Sequence, residues 1–191
     1  NSAWAVAPLA FENNPLCEAI ASAAIPNLLQ FEPQGIANTA WAFAKILFRD
    51  EPLLEAIASA AIAPIHEGEP QNLSNTLWAF SRFEIYHEPL WDAISAEALA
   101  TIRDFGSQEL ANISWSLAKL LVYDDPLLAA IAAQALKKIP EFSSQSRSNT
   151  VWAFAKRGVV HEPLLHATAE KAIRRVAECS QQDLSNTAWA F

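Results

Sequence analysis

Every 37 residues along this chain an asparagine is followed, seven residues later, by a lysine or arginine: Asn38 and Lys45, Asn75 and Arg82, Asn112 and Lys119, Asn149 and Lys156. In the first unit Asn1 is followed by Pro8 instead. A glutamine sits four residues before each later asparagine, at Gln34, Gln71, Gln108, Gln145 and Gln182, the last preceding Asn186. On a helix, steps of four and seven return to nearly the same face, so each unit offers two amides and one cation in a line. Such a set holds no nucleophile and no acid–base pair. Its chemistry is recognition: an even row of cations can follow a phosphate backbone, and carboxamides can hydrogen-bond a backbone or a base edge. Between the fixed positions lie others that change from unit to unit. Gly35, Asn72, Glu109, Ser146 and Asp183 form the set where selectivity is expected, and the Lys/Arg row the sequence-independent contact. A structural reading stands beside this one. A recurring Asn can tie one unit to the next, because buried polar groups must be paired, and the Lys/Arg can be solvated flank residues.

Other chemistries find no residues to use. His66, His87, His161 and His166 make no pair with a carboxylate or Cys at metal-ligand spacing. Cys17 and Cys179 are 162 positions apart, and 4 scattered Gly build no phosphate loop. No enzyme, cofactor, metal or small-molecule substrate is expected.

The elements that must position the ladder follow from the same period. Trp recurs at 4, 41, 78, 115, 152 and 189, and Pro at 15, 52, 89, 126 and 163, with no insertion or deletion. Within Pro33 to Phe48, Ile36, Ala37, Ala40, Trp41, Phe43, Ala44, Leu47 and Phe48 cover one half of a helical wheel. Gln34, Gly35, Asn38, Ala42, Lys45 and Arg49 cover the other. A second helix opens at Asp50-Glu51-Pro52, where acids and an N-terminal Pro suit the positive helix end. Two helices in 37 residues cannot bury both apolar faces alone, but stacked pairs can. The expected fold is therefore all-α, an α-solenoid of tandem 37-residue helix-turn-helix repeats. Its units run 1–37, 38–74, 75–111, 112–148 and 149–185, with a sixth begun at 186–191. The tryptophans are expected to form one interior file as inter-helix fillers rather than a stacking platform.

The chain has 191 residues, 52% of them hydrophobic, and no stretch apolar enough to span a membrane. It contains no Met and starts on Asn1, so it is expected to be a section of a longer array with further units or a partner at its ends. Its net charge of −8 opposes a simple nucleic-acid footprint. The acids, however, gather at the second helix: Asp50, Glu51, Glu88, Asp124, Asp125 and Glu162 in its first turn, and Glu18, Glu55, Asp92, Glu97 and Glu170 on its outer side. The side bearing Lys45, Arg82, Lys119 and Lys156 is accordingly expected to be concave and electropositive.

The phrases "IANTAWAFAKIL" from Ile36, "LSNTLWAFSRF" from Leu73 and Leu110 to Lys119, each leading to an Asp/His-Glu-Pro-Leu-like second helix, resemble the octotricopeptide and heptatricopeptide repeats. The period of 37 suits the heptatricopeptide form better, and the Pro-rich interhelix stretch is reduced. The resemblance implies a pentatricopeptide-like solenoid binding single-stranded RNA in a chloroplast or mitochondrion, in transcript stabilisation, processing, translation or ribosome assembly. A protein-binding subunit of a large organellar assembly is the competing expectation, since stacked repeats offer long surfaces to proteins as well.

Overall fold

The computed structural model describes residues 14–191. Asn1, Trp4 and Pro8, which open the sequence pattern, lie outside the described residues. The described residues are helical throughout, in repeated pairs. They comprise α1 (Asn14–Ala24), α2 (Pro33–Lys45), α3 (Glu51–Ile62), α4 (Pro70–Arg82), α5 (Glu88–Thr101), α6 (Ser107–Leu120), α7 (Asp125–Lys138), α8 (Ser144–Lys156), α9 (Glu162–Arg174) and α10 (Gln181–Ala190). Two compact units divide the chain, Asn1–Ala98 and Leu99–Phe191.

Within each unit the same layering repeats. The first helices of successive repeats lie flank to flank, α2 against α4 in one unit, and α6, α8 and α10 in file in the other. The second helices touch one another less, α7 against α9 for instance. Within its unit α8 is thus covered on both flanks, by α6 and α10, and packs on its own partner α9. That geometry explains a difference from the wheel. Ala42, expected on the open half, is fully buried, as are the equivalent Ala79, Ser116 and Ala153. Small residues there let the first helices approach closely, because a larger side chain has nowhere to go.

The interior file is not made of tryptophan. The fully buried large side chains stand two positions further on, at Phe43, Phe80, Leu117 and Phe154, against Leu53, Ile57, Leu90, Ile94, Leu127, Ile131 and Leu164 of the second helices. Trp41, Trp78, Trp115 and Trp152 are only half-buried, and Trp189 is exposed. Glu97 also departs from expectation. It lies inside rather than outside, and its carboxylate meets the His66 ring of the turn before. Gln134, the equivalent residue one repeat later, donates to the Arg103 carbonyl at 3.1 Å. Each therefore ties a second helix back to the preceding repeat.

The helix ends are equally periodic. Four first helices, α2, α4, α6 and α8, stop short of the expected Phe48 boundary on a left-handed residue: Leu47 (φ 57°), Glu84 (φ 59°), Leu121 (φ 57°) and Gly158 (φ 68°). The next amide then closes back on the carbonyl five residues earlier, Phe48 on Phe43 at 3.1 Å, Ile85 on Phe80 at 3.0 Å, Val122 on Leu117 at 3.1 Å and Val159 on Phe154 at 2.9 Å. A leucine in that conformation costs free energy that glycine does not. Leu121 is more than half exposed, so little packing is lost with its side chain. Leu121→Gly is expected to stabilise the chain by about 0.5–1 kcal/mol, read as a raised midpoint in thermal unfolding.

Second helices begin on a fixed cap nine residues after each Trp. Asp50 Oδ1 accepts from Leu53 N at 2.8 Å and Asp124 Oδ1 from Leu127 N at 3.0 Å. His87 and His161 occupy the same phase, and their Nδ1 atoms accept from Leu90 N at 3.1 Å and Leu164 N at 3.2 Å. The recurring histidines thus do the work of an N-cap aspartate. A short 3₁₀ turn after each second helix, such as Ile65–Glu67 or Ile139–Glu141, makes the bend into the next repeat.

Candidate nucleic-acid interface

The strip left open on each first helix runs Gln, Asn, Trp, Lys/Arg at steps of four, three and four. In α2 it is Gln34, Asn38, Trp41, Lys45, and in α4 it is Gln71, Asn75, Trp78, Arg82. In the other unit it is Gln108, Asn112, Trp115, Lys119 on α6, and Gln145, Asn149, Trp152, Lys156 on α8. The glutamines are exposed, the asparagines and tryptophans half-buried, and the cations exposed save for the half-buried Lys119. The tryptophans therefore stand in line with the ladder rather than beneath it. Lys45 Nζ lies 6.0 Å from the centre of the Trp41 ring, within reach of the π face.

Repeat-to-repeat bonding along the strip is seen at α8 and α10. Asn186 Nδ2 donates to Asn149 Oδ1 at 3.2 Å, a rung between residues 37 apart. Gln182 Nε2 in turn donates to Asn186 Oδ1 at 2.8 Å. Trp152 and Trp189 pair at 6.2 Å between ring centres, with planes tilted by 44°. At this pair of repeats the structural reading of Asn and the binding reading hold together. One amide end makes the rung, and each residue keeps part of its surface open.

The four cations also have a local reason to be basic. Lys45, Arg82, Lys119 and Lys156 occupy the last turns of their helices, where the carbonyl ends favour positive charge. The same turn also places Lys45 beside Trp41.

The variable position proves to be the third residue of each described first helix, and at Asn72, Ser146 and Asp183 it takes part in capping. Asn72 Oδ1 accepts from Glu69 N at 3.0 Å. Ser146 N donates to Ser143 Oγ at 3.0 Å, and the Ser146 hydroxyl pairs with the same oxygen. Asp183 forms a full capping box with Ser180, accepting from Ser180 N at 3.0 Å and from the Ser148 hydroxyl at 3.1 Å. Burial alone pushes the Asp183 carboxyl up. Hydrogen bonds from the Ser180 amide and from the Ser180, Ser148 and Ser144 hydroxyls outweigh it and hold the group below the ordinary carboxylate range. Ser146 and Asp183 are buried, with their polar atoms engaged in these helix-start bonds. Gly35, Asn72 and Glu109 are half-buried. At Asn72, Ser146 and Asp183 the varying side chain meets the polar groups of the helix start.

Charge is divided unequally. The unit Asn1–Ala98 holds 3 Lys/Arg and 12 Asp/Glu, a net −9, while Leu99–Phe191 holds 10 and 9, a net +1. The acidic total thus belongs to the first unit, and the strip on α6, α8 and α10 sits in a unit with no excess of acid. Among the described residues no group of three His, Cys, Asp or Glu could hold a metal ion, and no helix is long and apolar enough to cross a membrane.

A family profile described as RESC6, RNA-editing substrate-binding complex 6 protein, matches residues 4–191. No curated protein matches the chain.

Proposed function

The chain belongs to the RNA-editing substrate-binding complex 6 family, and from that premise we propose that it is a non-catalytic helical scaffold holding single-stranded RNA on the open strip of its first helices. One observation carries this reading: tryptophans placed two positions outside the core remain half-open between an amide and a cation. Stacking on an aromatic ring tolerates any base, and evenly spaced cations meet the backbone, which together make a platform for unpaired strands. Asn38, Asn75, Asn112 and Asn149 supply hydrogen bonds, and Lys45, Arg82, Lys119 and Lys156 the phosphate contacts. Asn72 is left with its capping role, while Gly35 and Glu109 stand at the same helix position. The family's name supports work on an RNA-editing substrate, and therefore a mitochondrial rather than a chloroplast setting. The octotricopeptide and heptatricopeptide likeness supports the repeat architecture and says nothing more specific about which RNA is held.

A second reading is a protein scaffold within the same kind of complex. The net −9 of the first unit favours it, since that charge repels a polyanion and suits a basic protein surface.

The two are separated by titrating a single-stranded oligoribonucleotide across a salt series with wild type and with Lys45, Arg82, Lys119 and Lys156 all changed to Glu. RNA binding on the strip predicts a strong loss of affinity and a log–log salt slope shallower by about 0.7 per lost contact. Unchanged affinity and slope would rule the strip out.

A further inference from the structure

Two arginines of the second unit stand where other repeats are apolar. Arg147 replaces Ile36, Leu73 and Leu110, and its Nη1 donates to the Phe142 carbonyl at 2.8 Å. Arg157 replaces Ile46, Phe83 and Leu120, and is 7% exposed. Its Nε and Nη2 are buried with no hydrogen-bond partner. Its only compensation at hand is the ring of Tyr123, over which the guanidinium lies at 3.6 Å. A cation buried without an opposite charge is a cost to folding, and the π face offsets only part of it.

Tyr123 presents the other half of the arrangement. It is 77% exposed, and it is held from one side by the guanidinium. Its backbone is fixed as well, because Asp124, the next residue, caps α7. Lys156, the residue before Arg157 in sequence, is exposed at the end of the strip. Gly158 has nothing within 4 Å of where a Cβ would stand, at a position filled by Leu47, Glu84 and Leu121 in the other repeats. The approach to this edge is therefore open, aromatic and cationic, and continuous in sequence with Lys156.

We infer that Tyr123 and Arg157 form a nucleotide subsite at the loop edge of the second unit. A base of single-stranded RNA stacks on the open face of Tyr123, and a phosphate passing Lys156 and Gly158 neutralises the guanidinium. This rests on the RNA reading above and extends it, giving a strand that crosses the strip a fixed end point. A ring already clamped from below loses little freedom when a base lands on it.

The test uses Arg157→Leu, since Leu is the residue of the equivalent position 120 and should fold without difficulty. The expected result is a paradoxical pair: a raised thermal midpoint, because an unpaired buried charge is gone, with affinity for a mixed-sequence single-stranded oligoribonucleotide lowered about tenfold and a salt slope shallower by about 0.7. Tyr123→Ala should lower affinity about tenfold, and Tyr123→Phe should keep it, because stacking needs the ring and not the hydroxyl. Unchanged RNA affinity in Arg157→Leu and Tyr123→Ala, while Trp115→Ala with Trp152→Ala weakens it, would overturn the subsite and leave the strip standing. Wild-type chain that binds no RNA would bring down the functional reading itself. A lowered thermal midpoint in Arg157→Leu would mark the residue as a packing element, and loss of binding confined to an acidic peptide would mark the edge as a protein contact; either overturns the subsite.

Discussion

Phe154→Ala lowers the stability of the chain by about 3–5 kcal/mol, the cost of removing a ring from a site that cannot collapse. The ring is 1% exposed, between α8 and the second helix that follows. Its flanks are fixed on both sides by α6 and α10, so the surrounding helices have little room to close the void. For a unit of this size, that loss lowers the thermal midpoint by more than about 10 °C, measured by far-ultraviolet circular dichroism. The contrasting variant is Trp152→Ala. It removes a larger side chain, yet one only partly buried, and should cost less than Phe154→Ala. An equal or greater loss from Trp152→Ala would return the tryptophans to the core and close the strip as a binding surface.

Trp115→Ala combined with Trp152→Ala is expected to have the largest effect on RNA. Stacking of a base on an aromatic ring is worth about 1–3 kcal/mol, so losing two rings removes about 2–6 kcal/mol, at least a thirtyfold weakening. Both residues lie in the unit without excess acid, where a strand meets least repulsion. Fluorescence anisotropy of a labelled single-stranded oligoribonucleotide reads the change, and a duplex of the same sequence serves as the control. Duplex bases are stacked on one another and present no open face, so the duplex should respond little to the tryptophan changes. Equal loss for both probes would point to phosphate contact alone.

The repeat and its helical pairs were legible because spacing without insertions leaves no other reading, and Pro52 or Ser180 with Asp183 marks helix starts directly. Trp41 shows where the sequence misleads. A large apolar residue beside Ala40 and Phe43 looks like core on a wheel drawn for one helix. Helix α2 is packed by α3 and by the neighbouring first helix α4, however, and the position left partly open is the one in register with Gln34, Asn38 and Lys45. That register, at steps of four, three and four, is written in the sequence and could have been read. Ala42 misleads in the opposite sense, since only the neighbouring repeat fills the space beside it. The left-handed ends at Leu47, Glu84 and Leu121 carry no residue signal, because glycine occurs at only one of the four equivalent positions, Gly158. Likewise His87 and His161 become recognisable as caps only when aligned with Asp50 and Asp124. The buried charge of Arg157 follows no periodic rule at all, and its partner Tyr123 comes from another repeat.

The uneven division of charge has a consequence for encounter. On the proposed RNA reading, a flexible polyanion approaching the first unit meets twelve carboxylates against three cations, and that repulsion should slow its capture there. Strands should then land first on the unit Leu99–Phe191, and capture would acquire a preferred starting point. The bias fades as the screening length shrinks below about 8 Å, so association should become less selective between the halves in concentrated salt, even where final affinity is already weak.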